Sequence, residues 1–251
     1  MDILQIIWIG VVVFLAGMLQ SAIGFGFALF ATPLLILLGL PLPSVIVLVS
    51  TCSMTQSTLG AVKLRHEVPW RLSLLATVVR CLSVVAGLFL LKKLLGFSTV
   101  QIRMAIGSIL CLLVILQIFY HPIPRPRIHW IWGGLAFIGS GLLSGICGMG
   151  GPPLVLWVMA HDWNNQKSRA FLFATFAAAV PVQIALMGLN FGRSILGSIA
   201  LGLLMLPLIY LGSSIGLPIG NRMSKERLRK VAYAVLLIIG ISAIVPAFLQ
   251  R

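Results

Sequence analysis

One arginine stands where a charge is hardest to keep. Arg80 is the only ionisable group with a permanent charge inside the apolar run Leu72–Leu91. Charged side chains at membrane depth are costly and as a rule functional, so Arg80 is expected to serve anion binding or gating; the alternative is a guanidinium that snorkels to the surface. Two glycine clusters follow in interest: Gly24 and Gly26 in AGMLQSAIGFGFA, and Gly148, Gly150 and Gly151, flanking Met149, in SGLLSGICGMGGP. A helix that starts at such a cluster leaves its first N–H groups without intrahelical partners. Those donors and the positive end of the helix dipole can hold an anion without charged side chains, and glycine lets a ligand come close to the backbone. Pro152 and Pro153 suit the first turn of that helix. The competing reading is that the glycines only let helices pack closely. Gln20, Ser21 and Ser144 adjoin the clusters and share their fate. Thr51, Thr55 and Thr58 fall on one helical face, with Gln56 beside them and Gln183 in a later segment. They either line a water-filled path or bond across helices.

Little else could do chemistry. The four acidic residues, Asp2, Glu67, Asp162 and Glu226, stand at chain or segment ends, leaving no carboxylate at membrane depth to relay a proton or sodium ion. His66, His121, His129 and His161 lie in connections without metal-ligand spacing, and Cys52, Cys81, Cys111 and Cys147 read as small buried hydrophobes. Nucleotide-binding and hydrolase signatures are missing. The expectation is therefore no catalytic group, no metal, no cofactor and no enzyme. A membrane-embedded enzyme acting on a lipid or quinone is the alternative, needing clustered His, Asp or Glu at depth; a structural membrane subunit is another.

The elements that must carry these residues are membrane helices. Apolar residues make up 60% of the 251 and charged ones only 9%, with a mean hydropathy of +1.12; soluble domains carry about 25% charge. The net charge of +14 does not point to nucleic acid, because all the basic residues except Arg80 lie in short connections, at segment ends or at the C-terminus. Apolar blocks run near Ile3–Ala22, Phe25–Leu40, Ser44–Val62, Leu72–Leu91 and Met104–Tyr120, then Trp130–Cys147, Gly150–Ala160, Ala170–Leu189, Ile195–Leu217 and Val231–Leu249. Met1 to Leu19 has no basic leader region and reads as a retained span. The expected fold is an all-α polytopic transmembrane bundle of eight to ten segments.

The two sets of blocks repeat one pattern across a Pro/Arg-rich linker, residues 121–129, so that residues 1–120 and 130–251 form two repeats. A constant offset lays Gly17 on Gly141, Gly24 on Gly148, Gly26 on Gly150, Ser44 on Ser168 and Thr51 on Thr175; a drift of two residues brings Arg103 onto Arg229. Five segments per half is an odd number, so the halves are expected to be inverted in the membrane. The basic residues then divide twelve against five, and the rich side should be cytoplasmic, leaving both termini outside. Gly150–Ala160 spans roughly 16 Å at 1.5 Å per residue, too short for a hydrocarbon core of ~30 Å. Short, Gly-interrupted segments at matching places in two halves point to a midplane site in secondary transporters.

The glycine motifs, AIGFGFALFATPLLILLGLP and GLLSGICGMGGPPLVLWVM, with SRAFLFATF after the second, resemble those of the TauE/SafE sulfite-exporter family along essentially the whole chain. The resemblance implies a duplicated helical permease of the plasma (inner) membrane for sulfite, a sulfonate, sulfoacetate or a related anion. The first motif departs from the pattern, with Phe27 and Ala28 in place of further glycine. The implied partners are a small-molecule anion and the lipid bilayer, with a homo-oligomer left open.

Overall fold

The structure is a computed structural model that describes residues 2–23, 25–119, 125, 128–222, 234 and 237. Helices account for nearly all of them: α1 (Ile3–Ile23), α2 (Phe27–Leu37), α3 (Leu42–Lys63), α4 (Trp70–Leu94), α5 (Thr99–Phe119), α6 (Trp130–Cys147), α7 (Gly151–Met159), α8 (Asn165–Phe191), α9 (Leu196–Leu204) and α10 (Leu206–Arg222). Among the described residues six helices are long and apolar enough to cross a membrane: α1, α3, α4, α5, α6, and α8 with its continuation α9. Outward faces carry Trp8, Leu74, Phe89, Leu112, Leu135, Leu189 and Leu211, all exposed. So much contiguous apolar surface is tenable in lipid and not in water. The chain is a multi-pass membrane protein. The block expected at Val231–Leu249 and most of the linker fall outside the described residues, apart from Ala234 and Leu237, both helical.

Membrane-edge helix starts use local chemistry. The Asn164 side chain accepts from Lys167 N at 2.7 Å, and the His129 ring accepts from Ile131 N at 3.4 Å. The short helices differ: α2 and α7 begin with no side-chain cap. Both are half-spans of 11 and 9 residues, roughly 14–17 Å long. The apolar run of the first motif continues to Leu40, yet α2 stops at Leu37. Gly39 takes φ +88° and Leu40 N reaches back to Leu35 O at 3.2 Å, a glycine-terminated end followed by Pro41 that cannot continue the helix. The expected single block Ile195–Leu217 is two helices, because Pro207 has no N–H to bond the preceding turn.

Three pairings organise the bundle: α4 lies along α6, α10 along α1, and α3 along α8 between them. Bare backbone makes the first two. A Cβ on Gly87 would come within 2.5 Å of Leu142 O and one on Gly145 within 2.6 Å of Val84 O; one on Gly141 would fall on Arg80 O. On the opposite pair, a Cβ on Gly212 or Gly216 would fall on the carbonyls of Phe14 or Met18. Helices in lipid associate through such close approach of small residues rather than through apolar burial.

Gly145→Val should therefore destabilise the protein by about 2 kcal/mol or more, as overpacking does, and cut the yield of monodisperse protein. Gly134→Val, on the same helix with nothing within 4 Å of its Cβ, should leave yield unchanged in size-exclusion chromatography.

Candidate substrate cavity between the helix breaks

The α6–α7 break is built by three glycines with different duties. Gly148 closes α6 with φ +74°, its N–H donating to Ser144 O at 3.0 Å; the left-handed conformation is the glycine's reason for being there. Gly150 has an ordinary φ of −75°, so its need is steric. A Cβ there would fall on Ser144 Oγ and come within 2.5 Å of Ser140 O, and Ser140 Oγ donates to Gly150 O at 2.5 Å. The turn is thus stitched flat against α6. Gly151 opens α7 and faces space, its nearest outside neighbour being Phe176 Cζ at 4.0 Å from an added Cβ. In the other break, Gly26 caps α2 at φ +104°. The far end of α7 is held by rings: Trp157 packs on His161 at 4.1 Å, on Phe137 at 5.0 Å and on Phe171 at 5.3 Å between centroids.

Arg80 does not snorkel. It is 1% exposed, with Nη1 donating to Thr175 O at 3.1 Å and Nη2 to Ser144 Oγ at 3.2 Å. Its guanidinium carbon lies 4.8 Å from the centroid of the Phe176 ring, and its Nε is buried without a partner. Ser144 also binds Gln183, whose Nε2 donates to the Ser144 carbonyl at 3.0 Å. One serine on α6 therefore ties α4 through its hydroxyl and α8 through its carbonyl. No carboxylate stands on α4, α6 or α8.

These groups border a cavity of about 60 Å³. Of the residues singled out from the sequence, Gln20, Gly26, Arg80, Ser144, Gly148, Gly150, Gly151 and Gln183 line it. Gly24 lies outside the described residues. Met149 is fully buried behind the turn and does not reach the wall. Thr51 packs against Gly202 and donates to Val47 O at 2.9 Å, Thr55 bonds Thr51 O at 3.5 Å, and Thr58 faces outward. Gln56 is spent on a cross-helix tie, its Nε2 reaching Gly17 O at 3.2 Å, Ser21 Oγ at 2.5 Å and Ser213 Oγ at 2.9 Å. So Ser21 and Gln56 join α1, α3 and α10 away from the cavity.

The α3 wall is Ser50, Ser53 and Ser57. Spaced three and four apart, they carry the same helical signal as the threonine stripe, displaced by one residue, and could have been found with it. Phe176, in the stretch after the second motif, and Phe25 and Phe27, at the first break, supply ring surface. Three wall residues each bury an atom without a partner among the described residues: Arg80 its Nε, Gln20 its Oε1 and Ser57 its Oγ.

Spanning helices interrupted by two uncapped half-helices, which meet a buried guanidinium around a small cavity of polar groups and aromatic rings, make a membrane transport protein. The chain belongs to the sulfite exporter TauE/SafE family, whose pattern it matches over residues 9–243. It is similar to the probable sulfite/organosulfonate exporter TauE of Cupriavidus necator, at 24% identity over 235 residues that cover 91% of this chain and 89% of the relative. No solved structure matches significantly. Membership makes it a membrane anion transporter.

The two adjacent glycines should separate packing from access. Gly150→Ala, which overlaps Ser144, should lower the melting temperature and the folded yield. Gly151→Ala should fold normally and weaken flux of the larger anions first, measured in proteoliposomes.

Proposed function

We propose that the protein carries a small sulfur-containing oxyanion, sulfite or an organosulfonate, across the plasma membrane, bound in the cavity beside Arg80. The observation that carries this reading is a buried guanidinium with no acid to balance it among the described residues. A charge at a helix centre costs roughly 2.5–3.5 kcal/mol on insertion scales, and that cost is offset when an anion shares the site. The residues that line this space suit such a ligand: Arg80 and Ser57, whose Nε and Oγ are buried without partners among the described residues, stand with Phe27 at the start of α2 and Gly151 at the start of α7. Similarity to the probable sulfite/organosulfonate exporter of Cupriavidus necator supports the choice of sulfur oxyanions.

Transport on this reading uses two inverted repeats moving about the site. Reciprocal packing supports the duplication: α4 lies on the first helix of the second half, and α10 on the first helix of the first. Gly141 and its counterpart Gly17 each receive a carbonyl, from Arg80 and from Ile209. The basic connections Lys63–Arg71 and Lys167–Arg169 lie on the cytoplasmic side, and both termini lie outside.

Arg80→Met conserves apolar volume and removes the charge. The variant should insert and express normally but bind sulfite about 30-fold more weakly or worse in calorimetry, the effect of losing about 2 kcal/mol or more from a buried charged contact. Undiminished affinity in monodisperse protein would move the site elsewhere. For orientation, reporters fused after Arg65 and after Arg227 should both report cytoplasm and a C-terminal reporter the outside; opposite answers from the first two would rule out inversion.

A further inference from the structure

The charge balance of the cavity bears on which ionic form of the substrate it accepts. Among the described residues, Arg80 is the only charged side chain on its wall. The thiols on the surrounding helices, Cys52, Cys81 and Cys147, do not line it. The helix ends add little net charge. An N-terminus contributes about +0.5 of a charge and a C-terminus about −0.5, and each break brings one of each together: α1 ends where α2 begins, and α6 ends where α7 begins. Among the described residues, what remains is one positive charge.

Resting on the reading that the anion sits beside Arg80, we infer that the site takes the singly charged form of its substrate, hydrogensulfite or a sulfonate, and rejects dianions such as sulfate and fully ionised sulfite. A monoanion leaves the loaded cavity neutral. A dianion leaves one negative charge with no partner, and an uncompensated buried ion costs several kcal/mol. Gln20 adds a second reason. It lines the cavity and its buried Oε1 receives no hydrogen bond among the described residues, so it is a ready acceptor for the proton of a protonated oxyanion, whereas a dianion offers it only another acceptor. Size does not make the choice. Hydrogensulfite and sulfite share the same non-hydrogen atoms, and sulfate and methanesulfonate have equal numbers of them.

Methanesulfonate and sulfate are the discriminating pair, each a tetrahedral sulfur with four substituents, differing in charge. Their binding to purified wild-type and Arg80→Met protein would be measured by calorimetry at fixed ionic strength, and flux of labelled sulfite in proteoliposomes would be followed across neutrality. Methanesulfonate should bind at least about tenfold more tightly than sulfate, a gap of 1.4 kcal/mol. Sulfite flux at constant total concentration should rise as pH falls, tracking hydrogensulfite, while methanesulfonate affinity stays flat. Equal binding of sulfate and methanesulfonate, both lost in Arg80→Met, would overturn the monoanion inference and leave the anion site standing. Binding of neither ligand or of sulfite, or methanesulfonate binding indifferent to Arg80→Met, would overturn the site itself. A methanesulfonate affinity that climbs with acid would assign the pH response to the protein and sink the inference.

Discussion

Backbone amides cannot be left unbonded in hydrocarbon. Each unsatisfied N–H or C=O there costs several kcal/mol, so irregular chain at membrane depth survives only where protein or a polar cavity covers it. Two helix breaks in this bundle impose that condition twice. Around the second break the cover is visible atom by atom: Ser140 takes the Gly150 carbonyl, Gln183 takes the Ser144 carbonyl, and the Gly148 amide turns back onto Ser144. Gly151, at the start of α7, lines the cavity with Arg80 beside it. The bundle's close helix contacts hold that turn between α4, α6 and α8.

The spans were legible because length and apolarity are local properties. Blocks read from the chain agree with α1, α3, α6 and α7 to within a few residues, and the half-span at Gly151 followed from counting residues against bilayer thickness. Departures arose where a single residue ends a helix inside an unbroken apolar run, as Gly39 does for α2 and Pro207 does between α9 and α10. Hydropathy has no term for either.

The cavity was partly legible, and the reason is rotational. Which polar residues share a helix face can be read from spacing; which face turns inward depends on neighbours far away in the chain. Helix α3 carries a threonine stripe and a serine stripe one residue apart. Gly202 and Val47 take up Thr51, and the serines meet the space. Gln56 and Gln183 looked alike in sequence, yet three acceptors hold the first and one carbonyl holds the second. Glycines could be found but not sorted. That Gly148 is conformational, Gly150 steric and Gly151 open depends on what α6 and α8 place against them.

The seam between α4 and α6 has a mechanical meaning. Side chains normally act as bearings, exchanging rotamers while one helix slides past another. Gly87, Gly141 and Gly145 remove them, so carbonyl oxygens of one helix sit in notches of the other. Sliding would have to ride backbone over backbone. The two helices are geared into one strut, which holds Arg80 on one side against Ser144 on the other.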